Sequence, residues 1–202
     1  MYGILIYDGV EPIDLGATFG VLSMARRIAT GLSFAGVART PGEVVCASGM
    51  RVQADFGFSD APAFEDLIVT GGPGWVEAAA DLETLDYLRK SPARLTSICT
   101  GAMILAAAGL LDGREATTKH EVFEGEASPA DQLPSDVTAH NAALVDDHGL
   151  VTGGGVSLGI DTMFYCLSRS HGEHLARETA RVMEYQRALS ANRAALGYRT
   201  VT

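Results

Sequence analysis

Short apolar runs that end in turn residues recur along the chain and alternate with stretches of helical spacing. The first run, Gly3–Tyr7, is followed by Asp8-Gly9, which indicates a buried strand and then a turn. The alternation of strands with helices favours an α/β fold with a mostly parallel sheet and helices on both faces. Further strands are predicted at 33–38, 67–70, 94–98, 144–147 and 150–152, with a hairpin around Ala47-Ser48-Gly49.

Helical segments are predicted between and after these strands. Pro12 begins the first one, and apolar residues recur from Leu15 to Met24, so Asp14 falls in the first turn or just before it. The C-terminal segment has Leu or Val every seven residues from Leu175 to Leu196. That spacing predicts an amphipathic cover for the sheet.

Composition and charge restrict the class of protein. The 202 residues are 47% hydrophobic with a formal net charge of -10, which predicts a single globular domain over residues 1–202. The acidic excess argues against nucleic acid and anionic membranes as partners. An odd count of three cysteines indicates a reducing compartment, and the first residues lack the pattern of a signal peptide. The longest apolar run, 102–111, is too short to span a bilayer, so we expect a cytoplasmic protein.

Cys99 is the residue that most strongly indicates chemistry. In Ser97-Ile98-Cys99-Thr100-Gly101 it lies between a strand and an apolar helix, the arrangement of a nucleophile elbow. The helix N-terminus favours the thiolate, and the backbone N–H of Thr100 can face a developing negative charge. Gly71-Gly72 brings a second N–H to the same edge, as in an oxyanion hole. The alternative interpretation is a small cysteine buried in the core.

Asp14 is the carboxyl expected beside this sulfur. Because chemistry collects at the carboxyl ends of parallel strands, the segments 8–14, 71–75, 99–101 and 153–157 should meet at one edge. The alternative for Asp14 is an ordinary acid that stabilises a helix N-terminus.

No cofactor and no metal are predicted. The glycines at 153–155 and 159 do not match the dinucleotide fingerprint, and a phosphate-loop Lys-Ser/Thr is not found. The histidines have no spacing typical of zinc ligands, and the contexts of Cys46 and Cys166 are those of core residues.

Several motifs follow one another in a specific order: Asp14, Gly71-Gly72-Pro73-Gly74, Ser97-Ile98-Cys99-Thr100-Gly101, Gly109-Leu110-Leu111-Asp112-Gly113, Ala116-Thr117-Thr118 and Gly153-Gly154-Gly155-Val156. With these motifs the chain resembles the ThiJ/PfpI superfamily, which shares the class I glutamine amidotransferase-like fold, from residue 1 to about residue 185. The resemblance implies a flavodoxin-like three-layer sandwich, a nucleophile-elbow cysteine and a homodimer.

The residue after the cysteine distinguishes branches of this superfamily. Peptidase-like members carry His there, whereas this chain has Thr100, which argues against proteolysis. The Cys-Thr-Gly form is similar to isonitrile hydratases and equally to the amidotransferase-like half of AraC-type regulators. Because no second helix is predicted after the last one, we expect the stand-alone, hydratase-like form. Lys119-His120 replaces the His-Trp of many relatives, so the pocket wall is expected to differ.

The resemblance implies a hydro-lyase that converts an isonitrile into an N-substituted formamide. Cys99 matches the nucleophile, Asp14 the acid/base and Thr100 the supporting residue. Two alternatives remain at this point: a non-catalytic sensor or partner-binding module of the same fold, and a glyoxalase-like enzyme acting on reactive carbonyls. Residues near the strand ends are the candidates for an apolar substrate pocket: Ile13, Trp75, Met103 and Val156.

Overall fold

An eight-stranded, mostly parallel sheet forms the centre of the molecule. The structure is a computed structural model that describes residues 1–201. Two small two-stranded sheets lie beside the central one. The strands are β1 (Tyr2–Leu5), β2 (Phe34–Ala38), β3 (Gly42–Val45), β4 (Arg51–Ala54), β5 (Phe56–Gly57), β6 (Asp66–Val69), β7 (Arg94–Ile98), β8 (Glu115–Ala116), β9 (Thr138–Ala139), β10 (Leu144–Asp147), β11 (Leu150–Gly153) and β12 (Tyr198–Val201).

The strand order explains where a site can form. The central sheet runs β12-β10-β11-β7-β6-β1-β2-β5, and only the β10–β11 pair is antiparallel. Consequently β1, β6, β7 and β11 are consecutive and parallel, and their carboxyl ends share one edge. The predicted hairpin is confirmed as the separate antiparallel pair β3–β4.

Helices cover both faces of the sheet, which confirms the flavodoxin-like α/β class. Alternate residues of β1 point to opposite faces, with Ile4 in one apolar cluster and Leu5 in the other. The helices are α1 (Pro12–Leu15), α2 (Val21–Ala25), α3 (Trp75–Ala80), α4 (Leu82–Lys90), α5 (Gly101–Ala107), α6 (Gly159–His171), α7 (Glu173–Val182) and α8 (Gln186–Leu196). Residues of α2, α6 and α7 join the cluster of Ile4, and residues of α3, α4 and α5 join the other. Among the residues described, no helix is long and apolar enough to cross a membrane.

The first helical segment is continuous but not uniformly α-helical. A π-helical stretch, Gly16–Gly20, separates α1 from α2. The Thr18 hydroxyl donates to the carbonyls of Asp14 (2.9 Å) and Leu15 (3.1 Å) within this stretch. Wide turns of this kind occur frequently at functional sites. Here the stretch directly follows the turn that carries Asp14.

The C-terminal segment differs from its prediction. Glu184 adopts a left-handed backbone (φ 55°) and divides the expected helix into α7 and α8. Val182, one of the heptad positions, is 40% exposed because it lies at this break. The last helix is followed by the edge strand β12, which pairs in parallel with β10.

Candidate active site

The four glycine-rich or acidic segments predicted to meet do lie together at the carboxyl ends of the central strands. Gly71 N–H, after β6, donates to Asp14 Oδ2 at 2.7 Å. Cys99 N–H, after β7, donates to the carbonyl oxygens of Gly153 (3.1 Å) and Gly154 (3.3 Å) at the end of β11. These hydrogen bonds fix the two candidate reactive side chains relative to one sheet edge.

Cys99 has the strained backbone of an elbow. Its φ is 54°, a left-handed value that few residues other than Gly adopt and that costs about 1–2 kcal/mol. The surrounding structure holds it there: besides the two bonds made by its N–H, its carbonyl accepts a hydrogen bond of 2.8 Å from the Thr118 hydroxyl. Such retained strain is typical of functional residues.

Two glycines provide the space around the sulfur. A Cβ on Gly71 would lie 2.6 Å from Thr100 N and 2.8 Å from Cys99 Cβ. A Cβ on Gly155 would lie 3.1 Å from Cys99 Sγ. Both positions therefore allow a close approach of backbone to the elbow that a side chain would prevent.

The sequence predicted a Cys99 thiolate, whereas the structure favours the protonated thiol when no substrate is bound. Burial raises the pKa of the Cys99 thiol to about 12, and the charge of Asp14 acts in the same direction. The N–H and hydroxyl of Thr100 and the ammonium of Lys119 lower that pKa but do not overcome burial. Cys99 is only 3% exposed, and α5 is a short helix of seven residues. Desolvation therefore raises the pKa by more than the Thr100 N–H at the start of α5 lowers it, and the thiol is neutral near pH 7.

Asp14 is a buried acid rather than a surface helix-start residue. Its side chain is fully buried, Oδ2 accepts the Gly71 N–H, and Oδ1 has no hydrogen-bond partner within the described residues. Burial raises the pKa of Asp14 to about 7; the Gly71 hydrogen bond and Lys119 lower it, and Glu11 raises it. One carboxyl oxygen is therefore positioned by the backbone and the other is free to exchange a proton.

Gly72 and Thr100 hold each other. Gly72 N–H donates a hydrogen bond to Thr100 Oγ1 at 2.9 Å, and the Thr100 hydroxyl donates a longer one, of 3.3 Å, to the Gly72 carbonyl oxygen. The expectation of a free Gly72 N–H for an oxyanion is therefore not met in this geometry, because that donor already bonds the threonine. Thr100 N–H remains directed at the sulfur, where it lowers the pKa of the thiol.

The four residues expected to form an apolar pocket are distributed unevenly. Val156 packs against the cluster that includes Cys99, whereas Trp75 packs against the cluster on the opposite face. Met103 is buried in the first turn of α5, where its N–H donates to Thr100 O at 3.0 Å. Ile13, directly before Asp14, is 54% exposed.

Two site residues, Thr118 and Tyr7, were not identified from the sequence as site residues, and Lys119 was expected only as part of an altered pocket wall. Thr118 holds the Cys99 carbonyl, and Lys119 influences the pKa of both Cys99 and Asp14. Tyr7 is half-buried, and the pKa of its phenol is raised well above its usual value by desolvation and by the charge of Asp14. The Ala116-Thr117-Thr118 motif drew attention to Thr118. Its contact with Cys99 joins residues 19 apart in the chain, so no local sequence pattern predicts that contact.

His120 does not join the cysteine. Its Nε2 lies 2.9 Å from His140 O and 3.4 Å from Thr117 Oγ1. Within residues 1–201, no group of three or more His, Cys, Asp or Glu side chains is arranged to hold a metal ion.

Sequence relatives include both an enzyme and transcriptional regulators. The isonitrile hydratase of Pseudomonas putida is 31% identical over 162 residues, which cover 79% of this chain and 67% of the hydratase. The HTH-type transcriptional regulator GbdR of Pseudomonas aeruginosa is 27% identical over 190 residues, covering 92% of this chain but 50% of the regulator. The chain therefore spans about half the length of that regulator.

Structural and family comparisons agree with this similarity. The crystal structure of a ThiJ/PfpI family protein from Pseudomonas syringae superimposes with a TM-score of 0.78 at 27% identity, covering 91% of this chain and 74% of that one. The sequence model of the DJ-1/PfpI family matches residues 3–168. The chain therefore belongs to the DJ-1/PfpI family.

Proposed function

We propose that this protein hydrates an isonitrile, R–NC, to an N-substituted formamide through a covalent adduct on Cys99. The observation that carries the proposal is the pairing of a buried neutral thiol with a buried carboxyl whose pKa is about 7. Covalent catalysis divides a difficult hydration into two easier additions.

In the first addition, the Asp14 carboxylate accepts the thiol proton through its unpartnered Oδ1. The sulfur attacks the terminal carbon of the isonitrile, and Asp14 returns the proton to that same carbon. The product is a thioimidate, Cys99–S–CH=N–R, and Asp14 is again a carboxylate. Thr100 N–H stabilises the charge that develops transiently on the sulfur.

In the second addition, water attacks the carbon of the thioimidate. Asp14 accepts one water proton and passes it to the nitrogen, which gives a tetrahedral S–CH(OH)–NH–R intermediate. The C–S bond then breaks, and the hydroxyl proton returns to the sulfur through Asp14. One water has been consumed, and formamide and free thiol are released.

The burial of the site favours this substrate over a bulky carbonyl. Cys99 is 3% exposed and Asp14 is fully buried, so the sulfur is reached only by a narrow group. The isonitrile head is linear and uncharged, whereas a peptide bond is wide and flanked by side chains. A peptidase would also need a base such as His on the cysteine, and within the described residues no His hydrogen-bonds Cys99.

Turnover of phenyl isonitrile tests the proposal. We expect the parent protein to form the formamide, measured by chromatography, and Cys99→Ala to form none above background because no thioimidate can be made. Cys166→Ala removes a buried thiol from α6 and serves as the matched control, with activity retained. Formamide production that survives Cys99→Ala would disprove the covalent mechanism.

Ligand sensing is the second candidate function. It is favoured by the similarity to an HTH-type regulator over 92% of this chain and by the neutral, buried state of the resting thiol. A sensor would bind an isonitrile or a reactive carbonyl without consuming it. The formamide assay therefore separates a hydratase from a sensor. Consumption of methylglyoxal, offered in place of the isonitrile, tests the glyoxalase-like alternative.

We also propose that the protein is a homodimer that assembles beside the α1 turn. An apolar groove of about 370 Å³ lies there, lined in part by Pro12, Phe19 and Met50. Ile13 and Met50 are 54% and 44% exposed, which leaves apolar surface for a second copy to cover.

Light scattering at micromolar concentration should therefore give about twice the chain mass of 21.2 kDa. Ile13→Asp should reduce it to one chain, because a charge would be buried in the interface. Leu82→Asp is the control, since Leu82 is 76% exposed elsewhere, and it should remain dimeric. A parent protein that scatters as a single chain contradicts the proposal.

A further inference from the structure

The loop after β8 brings a cation to the edge of the cysteine site. Lys119 is one of only two lysines in the chain. The two threonines before it fix its backbone: the Thr118 hydroxyl donates to Cys99 O at 2.8 Å, and Thr117 N–H donates to Thr152 Oγ1 at 2.9 Å. Lys119 is therefore tied to both the elbow and β11.

The stem of Lys119 and the sulfur border the same small space. A Cβ placed on Gly155 would lie 2.9 and 3.0 Å from Lys119 Cβ and Cγ, and 3.1 Å from Cys99 Sγ. The aliphatic part of Lys119 thus forms a wall beside the nucleophile. A substituent that extends from Sγ on the Gly155 side therefore contacts this side chain.

The ammonium group at the end of that wall has no carboxylate partner within the described residues. Nζ donates to Glu121 O at 2.5 Å, which leaves two of its three N–H groups for other acceptors. Lys90, by contrast, pairs with Asp86 at 2.7 Å. The charge of Lys119 reaches the reacting groups, because it counteracts the burial that raises the pKa of Asp14 and of Cys99.

We propose that Lys119 selects an isonitrile whose substituent carries a carboxylate. This inference rests on the proposed function. A carboxylate would satisfy the two remaining N–H groups with charge-assisted hydrogen bonds. Because the chain has a net charge of -10, an anion is repelled on average, and a cation without a carboxylate partner among the described residues, on the side chain that borders the sulfur, gives a local preference for one.

Alkylation of Cys99 tests this selection without any turnover. Iodoacetate and iodoacetamide have nearly the same size and the same leaving group but differ in charge. We expect Lys119→Met to lower the iodoacetate-to-iodoacetamide rate ratio at Cys99 about tenfold, as measured by mass spectrometry of the Cys99 peptide. Lys119→Arg should keep the ratio, and Lys90→Met is the matched control that should also keep it. Lys119→Gln repeats the charge removal with a shorter polar side chain if the Met variant does not fold.

An unchanged ratio in both neutral variants would overturn the inference. A lysine that only assists thiol ionisation, or only holds its loop, would slow both reagents equally and leave the ratio unchanged. A parallel assay compares 4-isocyanobenzoate with phenyl isonitrile, where Lys119→Met should raise the KM ratio of the two. If neither isonitrile is hydrated, the proposed function fails, while the alkylation ratio still decides whether Lys119 selects anions.

Discussion

Replacing Asp14 by Asn should slow isonitrile hydration about 100-fold or more, and at pH 9, where the thiolate forms without a general base, it should make alkylation of Cys99 faster. Asn keeps an acceptor for Gly71 N–H but cannot take the thiol proton, which removes the usual benefit of general acid–base catalysis. The ionised Asp14 also raises the pKa of the Cys99 thiol, after the larger contribution of burial. Its removal therefore lowers that pKa, and at pH 9 the thiolate fraction should increase several-fold.

The pH dependence provides a second signature of the same role. Because the pKa of Asp14 is about 7, the carboxylate needed to accept the thiol proton is lost as the pH falls below that value. Hydration by the parent should decrease about tenfold per pH unit below pH 7 and level off above it. The Asn variant should have no such inflection in its residual activity.

Asp161→Asn is the matched control for these measurements. Asp161 is another buried carboxyl with a raised pKa, owing mainly to burial, but it lies on α6 and bonds Tyr185 and Asn192. Its replacement should alter neither the alkylation rate of Cys99 nor the inflection near pH 7. A structural Asp14 would predict unchanged hydration in Asp14→Asn, and that result would remove Asp14 from the mechanism.

The sequence predicted the strands and the elbow because the evidence for both is local. Apolar runs bounded by turn residues define β1, β6 and β7, and Ser97-Ile98-Cys99-Thr100-Gly101 places the cysteine between strand and helix. Once these strands are parallel neighbours, the meeting of Asp14 with the elbow follows from topology. The fold class and the assembly of the four segments were therefore predictable.

Features that depend on distant residues were not predictable in this way. Burial raises the pKa of the Cys99 thiol by more than the Thr100 N–H, at the helix start that suggested a thiolate, lowers it. The engagement of Gly72 N–H by Thr100 follows from packing between two loops. Edge strand β12 was missed because it is only four residues long and its two central residues, Arg199 and Thr200, are polar and exposed, with half-buried residues only at its ends.

The buried carboxyl should also make the folded protein less stable as the pH rises. The pKa of Asp14 is 3.8 in its ordinary state and about 7 in the folded chain. Between these values the unfolded chain has released the proton and the folded chain retains it, so unfolding releases a proton and stability falls with rising pH. Above pH 7 the folded carboxyl is ionised too, and the penalty is constant at about 4 kcal/mol, from 1.36 kcal/mol per pH unit.

Asp14→Asn should therefore be more stable than the parent at pH 8, with an advantage that shrinks toward pH 5. As the pH rises from 5 to 8, the free energy of unfolding of the parent should fall by up to about 3 kcal/mol because of Asp14, and that of the variant should not show this fall. Urea unfolding at both pH values measures the difference, and Cys99→Ala, which keeps the carboxyl, should follow the parent. The direction matters because a residue that stabilises a helix start would make the Asn variant less stable at every pH. A variant that is both more stable at pH 8 and nearly inactive would mean that this carboxyl is retained for chemistry at the expense of stability.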